Sequence, residues 1–315
     1  MRIVLAPLEG VIDHLVRELL TDFGGIDLCI TEFLRVTHSL QPERVFYRLC
    51  PELNQGGKTK SGTPVRMQLL GQSPQFLSEN ANRAIELGSH GIDLNLGCPS
   101  KIVNTNKGGA ILLKDPALIY QIVRQMRSAI PKDQILSVKI RLGWDDPTAV
   151  DEIADAIEQG GANELTIHAR TKTDGYKADA IKWHMIEQVS QRLKIKVIAN
   201  GEIWQRDDAR QCRIKSGCDD LMIGRGTLAM PNLASVIKDN EAPLPYSDLL
   251  QLLIKYSDYE IAGDKGEYYS NRIKQWMVYL KVQYPQIREL FRELRVFNSP
   301  QPIVDILNRE AQIYG

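Results

Sequence analysis

The chain predicts a (β/α)8 barrel followed by a small C-terminal helical domain, and three observations carry that expectation. Eight short apolar, β-branched runs recur within about the first 230 residues. Stretches of helical period separate them. Almost every run ends in a polar side chain at its carboxyl end, the face on which barrel enzymes build their sites. A doubly wound sheet is the nearest alternative, but it normally needs fewer strands.

In order, the runs cover 3–5, 27–31, 64–70, 91–96, 136–140, 164–169, 196–200 and 220–223. Most lack strict alternation, as parallel strands buried on both faces do. Ser73-Pro74 opens one intervening helix with an N-cap and a proline at the first position, and Gly88 closes it. Asp115-Pro116 and Asp146-Pro147 repeat that opening, and Gly160-Gly161 ends the second of these units. Around 240–245, Asn-Glu-Ala-Pro-Leu-Pro marks a linker. Beyond it no strand signal survives. Segments 249–261, 268–282 and 286–294 read as helices, and Ile273, Trp276, Met277 and Leu280 fall on one face. The expected division is therefore residues 1–240 for the barrel and 241–315 for the helices.

Composition narrows the functional classes. Among 315 residues, 39 basic side chains balance 39 acidic ones, so global charge names no polyanionic partner. Five scattered cysteines without a CxxC pair fit a reducing cytosol and argue against a disulfide frame. His14, His38, His90, His168 and His184 show no metal-ligand spacing. The start enters a strand at once, without a signal-peptide profile, and no apolar run approaches membrane-spanning length. A cytoplasmic, metal-free protein is expected. A monomer is favoured, because no apolar helix face is obviously left over.

The strand ends hold the chemistry. The first gives Ala6-Pro7-Leu8-Glu9-Gly10, a stiffened turn. The third carries Gln68, the fourth Asn95 and then Cys98, and the fifth Lys139 and Arg141. The sixth bears His168 and Arg170, the seventh Asn200-Gly201-Glu202, and the eighth Gly224-Arg225-Gly226. This ring of amide, ammonium, imidazole and guanidinium groups suits a planar, polar, anionic ligand. The glycine turns after the seventh and eighth strands occupy the usual phosphate position of such barrels. Lys139 in a buried strand pairs either with a carboxylate or with that ligand, since an unpartnered buried charge is costly. Cys98, held between Gly97 and Pro99 at a strand exit, is presented rather than simply packed.

These residues resemble the tRNA-dihydrouridine synthases. Asp93-Leu94-Asn95-Leu96-Gly97-Cys98-Pro99 is similar to the family's catalytic segment, and Ala6 to Asp13 to its opening motif. Segments 138–143, 165–171, 199–203 and 222–226 follow in order through the barrel. Leu8, Ala169 and Glu202 stand where Met, Gly and Asp are common, and Lys107-Gly108-Gly109-Ala110 varies the usual loop. None of these departures removes a chemical group. The compact length and helical tail point to the bacterial C-type subfamily, which acts on the D-loop uridine at position 16.

The resemblance implies that FMN, reduced by NADPH, gives a hydride to C6 of uridine while Cys98 protonates C5. It implies cofactor contacts from Ala6, Pro7, Leu8, Glu9, Gln68, Lys139, His168, Asn200, Gly201, Glu202, Gly224 and Arg225. It implies tRNA contacts from Arg35, Asn95, Lys101, Arg141, Tyr176, Arg272, Lys274, Tyr279 and Arg295, with Asn95 on the uracil edge. Residues 100–109 read as a mobile lid. Segment 268–300 holds a surplus of four positive charges in this neutral chain, the pattern expected of phosphate contacts. Two rivals remain: an FMN barrel reducing a free small molecule, as dihydroorotate dehydrogenases do, and a non-catalytic RNA-binding protein.

Overall fold

A computed structural model describes residues 1–263 and 266–315. Eight parallel strands close into a barrel in sequence order. They are β1 (Ile3–Leu5), β2 (Leu28–Arg35), β3 (Val65–Leu70), β4 (Ile92–Asn95), β5 (Leu136–Arg141), β6 (Glu164–His168), β7 (Lys196–Asn200) and β8 (Asp220–Ile223). Closure pairs Leu5 of β1 with Ile223 of β8. The (β/α)8 barrel expected from the sequence is the fold.

Helices follow in order: α1 (His14–Thr21), α2 (Glu43–Leu49), α3 (Pro74–Glu86), α4 (Lys101–Thr105), α5 (Pro116–Ala129), α6 (Val150–Gly160) and α7 (His184–Arg192). After them come α8 (Arg206–Ser216), α9 (Arg225–Ala229) and α10 (Leu233–Lys238). The Pro-marked helix starts behave as read. Asp115 accepts from Leu118 N at 2.9 Å, and Asp146 caps a 3-10 turn that leads into α6. Gly161 ends α6 in the left-handed region at φ 95°, where a side chain would be strained.

Strand β2 corrects the sequence reading. It does not stop at 31 but runs on to Arg35, with a register shift between Ile30 and Phe33. Thr31 Oγ1 accepts Gln68 N at 3.1 Å across the irregularity, so pairing resumes beyond it. Arg35 is thus the last residue of the strand rather than a residue just past it.

Side chains at alternate strand positions face the barrel interior. One side of that interior is apolar, with Val4, Ala6, Leu28, Ile30, Ile198 and Met222 in a cluster. The other is polar. At the strand starts Glu164 is paired with Arg66 and Arg2, each at 2.8 Å, and Asp220 with Arg2. Such groups at the amino-terminal face serve stability, leaving the opposite end for chemistry.

Beyond the linker lie α11 (Tyr246–Ala262), α12 (Tyr269–Leu280), α13 (Ile287–Leu294) and α14 (Pro300–Tyr314). The last was not anticipated. Its two early prolines are accommodated because the first turn of a helix tolerates proline. Ile303, Ile306 and Leu307 on its inner face are buried. Helix α11 packs on α1 and α12 on α9, and Trp276 donates its indole N–H to Leu228 O at 3.0 Å. The helices therefore stand beside the carboxyl-terminal mouth of the barrel.

Candidate active site

The strand ends surround one cleft of about 430 Å³, within the range of small-molecule sites. Every residue from the cofactor expectation lines it, together with Cys98, Asn95, Arg141, Tyr176 and Tyr279.

Cys98 is half-buried, whereas Cys29, Cys50, Cys212 and Cys218 are buried. Its turn is fixed from two sides. Asn95 Oδ1 accepts the backbone N–H groups of Gly97 and Cys98, each at 3.0 Å. Arg141 Nε donates to Gly97 O at 2.9 Å. Burial, with the nearby Glu9 carboxylate adding to it, raises the thiol's pKa above its usual value. The group therefore carries its proton at neutral pH.

Behind Asn95 the amides continue inward. Asn95 Nδ2 donates to Gln68 Oε1, and Gln68 Nε2 donates to Asp93 Oδ2, both at 2.7 Å. Ser137 Oγ donates to the other Asp93 oxygen. Burial pushes the Asp93 carboxyl up to about 6 even though both donors work against the shift. The sequence reading gave Asp93 no role, because a carboxylate inside a strand signals nothing without its cross-strand neighbours.

Lys139 reaches Asn200 Oδ1 at 3.2 Å, and no carboxylate is paired with it among the described ion pairs. Burial, then the charge of Arg141, lowers its pKa to about 8. His168 is buried, and its Nδ1 lacks a hydrogen-bond partner among the described residues. Burial and the charges of Arg141, Lys139, Arg170 and Arg225 hold its pKa well below the ordinary value, so the imidazole is neutral.

At the far end of the cleft Glu202 is the hub. It adopts φ 52°, and its carboxylate takes Trp204 Nε1 at 2.9 Å, Arg170 at 3.0 Å and Arg225. Trp204 was not foreseen. Beside Glu202, Gly201 has φ 120°, and a Cβ there would lie 2.8 Å from Ile181 Cδ1. A Cβ on Gly226 would lie 2.1 Å from Ile203 O. These positions need glycine, and both line the cleft.

The remaining RNA-contact candidates divide. Tyr176 is 56% exposed, with the guanidinium groups of Arg141 and Arg225 at 5.2 and 4.8 Å from its ring centre. Arg35, Lys101 and Arg295 are exposed. Lys274 is half-buried and donates to Asn298 at 3.2 Å. Tyr279 enters the cleft from α12 beside Gln275, which was not foreseen. Arg141 is not a free cation, since it also donates to Thr171 O and Gly175 O. Arg272 is no surface cation either. It pairs with Asp13 at 2.6 Å and Glu260 at 2.9 Å, partners that sequence spacing could not indicate. Residues 100–109 are not an open loop. They fold into α4 and a turn, where Asn104 donates to Cys98 O and Ser100 O and accepts from Ile111 N.

Among the described residues, no group of three or more His, Cys, Asp or Glu side chains is placed to hold a metal ion. No described helix is long and apolar enough to cross a membrane.

A family model described as dihydrouridine synthase (Dus) matches residues 4–302. The chain is 55% identical over 309 residues to a protein of Vibrio cholerae serotype O1 named tRNA-dihydrouridine(16) synthase, covering 98% of this chain and 96% of the relative. It is 56% identical over 303 residues to the protein of the same name from Escherichia coli K12, covering 96% of each. Among solved structures it is similar to morphinone reductase in complex with tetrahydroNAD, at TM-score 0.54 and 13% identity over 77% of this chain and 88% of that one. At that identity the likeness shows a shared fold alone. The match along nearly the whole length shows that this chain belongs to the dihydrouridine synthase family, in the C-type branch whose members carry the tRNA-dihydrouridine(16) synthase name.

Proposed function

We propose that this protein reduces uridine 16 in the D-loop of tRNA to 5,6-dihydrouridine, with FMN as cofactor and NADPH as the source of electrons, acting as a cytoplasmic monomer. One observation carries the reading: a protonated, half-exposed thiol opens into the same cleft as the half-buried Lys139 ammonium and a buried imidazole nitrogen that lacks a partner among the described residues.

The residues present fit FMN. His168 Nδ1, buried without a partner among the described residues, and the half-buried Lys139 Nζ have hydrogen-bonding capacity that a flavin ring would complete, and Gln68 lines the same cleft. Lys139 suits the ring edge that gains negative charge. Gly201, Gly224 and the Arg225 side chain, organised by Glu202, suit the phosphate. Ala6 to Glu9, which line the cleft at the first strand end, would flank the ring. When bound and reduced, FMN supplies a hydride to C6 of the uracil.

The protein's own part is positional and acidic. A uracil must leave its stack to enter the cleft, and Tyr176 at the mouth offers a ring face. Asn95, with one amide hydrogen beyond its bond to Gln68, faces the base edge. Cys98 delivers the proton to C5 as general acid. Arg141 contributes by fixing the cysteine turn. In the C-terminal helices, Arg288, Arg292 and Arg295 lie exposed on α13 and its end beside Glu289 and Glu293, and offer a local group of cations for the tRNA backbone. A free small molecule needs no such surface, which favours RNA over the rival small-molecule reductase.

Mapping dihydrouridine in tRNA from cells lacking this protein tests the assignment. Loss of the modification at position 16 alone is expected. Retention there, or loss at another position, overturns it.

A further inference from the structure

We propose that Asp93 is a positioning residue, which sets the polarity of the Gln68 and Asn95 amides and thereby aims Cys98 into the cleft. The inference rests on the reading of Cys98 as the acid.

The geometry fixes that polarity from both ends. At the cleft, two backbone N–H groups converge on Asn95, which must offer them its oxygen. Its NH2 then faces Gln68, which must in turn present oxygen. The NH2 of Gln68 is left facing inward, toward a group that has to accept. At the core, an ionised carboxylate can only accept. Asp93 receives Gln68 on one oxygen and Ser137 on the other. Gln68 is fully buried and Asp93 almost so, leaving no solvent to satisfy a reversed amide. Reversing either amide would set donor against donor, which is costly in a buried site. The series Ser137, Asp93, Gln68, Asn95 and the Cys98 turn crosses β5, β4 and β3, so a residue buried in the barrel interior governs the thiol without touching it.

A mutational cycle tests this. Ser137→Ala leaves Asp93 accepting. Asp93→Asn turns its oxygen to Gln68 and its NH2 to Ser137, whose hydroxyl has Ile92 O at 3.4 Å as an alternative acceptor. Each single variant should keep kcat and the rate at which iodoacetamide alkylates Cys98. In the combined Asp93→Asn, Ser137→Ala protein, the new NH2 loses its acceptor, so either it or the Gln68 NH2 stands unpaired in the buried interior and the series loses its inner anchor. There kcat should fall by up to about a hundredfold, the loss that a misplacement near 1 Å brings, with KM for tRNA unchanged. The Cys98 alkylation rate should rise several-fold, in FMN-free and FMN-loaded protein alike. The four buried cysteines make native alkylation a report on Cys98. An additive cycle, or an unchanged alkylation rate in the folded double variant, overturns the proposal. If the double variant does not accumulate, Asp93→Ala in the same two assays decides, and full activity there refutes the role. Full turnover by Cys98→Ala would instead refute the acid assignment on which the inference stands.

Discussion

Arg272 of α12 reaches across to Asp13, the N-cap of α1, at 2.6 Å. The same guanidinium holds Glu260 of α11, whose side chain is fully buried, at 2.9 Å. One cation thus fastens two C-terminal helices to the first loop of the barrel. Truncating one partner of a buried ion pair costs far more than losing a surface pair, because the other charge is stranded. Arg272→Met should lower the unfolding free energy by about 3 kcal/mol, read by urea denaturation. It should leave the salt dependence of tRNA binding unchanged, since Arg272 is only 11% exposed and its charge is already spoken for. A changed salt slope with unchanged stability would return Arg272 to the RNA surface.

What the sequence discloses depends on how far apart the partners lie. Strands β7 and β8 coincide with their apolar runs residue for residue, because a strand buried on both faces is visible as composition. Lys139 and His168 stand out for the related reason that each interrupts such a run, and Cys98 because it follows one between Gly97 and Pro99. The β2 extension is hidden, since Glu32 and the irregularity beside it end the apolar signal while Thr31 repairs the ladder. Helix α4 is masked by Lys and Asn, and Asn104 stitches it to the Cys98 turn only in three dimensions. Arg272 reads as a surface charge because Asp13 is 259 residues away. The Asp93 series escapes a linear reading for the same cause.

Removing the thiol separates chemistry from binding. Cys98→Ala deletes a half-buried group that packs no core cluster, so FMN absorbance and tRNA affinity should persist. Turnover should fall by at least about a hundredfold, the usual contribution of a positioned general acid. Single-turnover formation of dihydrouridine measures it directly.

Lys139 should make cofactor binding depend on pH. Its ammonium loses the proton near pH 8 in the unliganded protein because burial and Arg141 disfavour the charge. A ligand that prefers the charged form raises that pKa on binding, so affinity is full below about 8 and weakens as pH rises through it. The decline should approach about tenfold per pH unit. Flavin fluorescence titrations between about pH 7 and 9.5 would show it, and Lys139→Met should bind more weakly with no such slope. A wild-type affinity that stays flat across this interval would remove Lys139 from the cofactor site.

The exposed cations of α13 and its end should behave as phosphate contacts. Arg288, Arg292 and Arg295 recur at helical spacing and lie in solvent, and none is in a described ion pair. Each bound phosphate releases condensed counterions, so removing a contact lowers the dependence of log affinity on log salt. Arg295→Ala should weaken tRNA binding across all tRNA sequences and reduce that slope by about one. The triple Arg288, Arg292 and Arg295 to Ala variant should reduce it by about three. Neither change should alter thermal stability by more than about 0.5 kcal/mol, because the residues lie away from the core. The position of the reduced uridine should stay the same in both variants, since backbone contacts set grip and register while the cleft chooses the base. A wild-type salt slope in the triple variant would show that this face is merely solvated and that the tRNA docks elsewhere on the mouth.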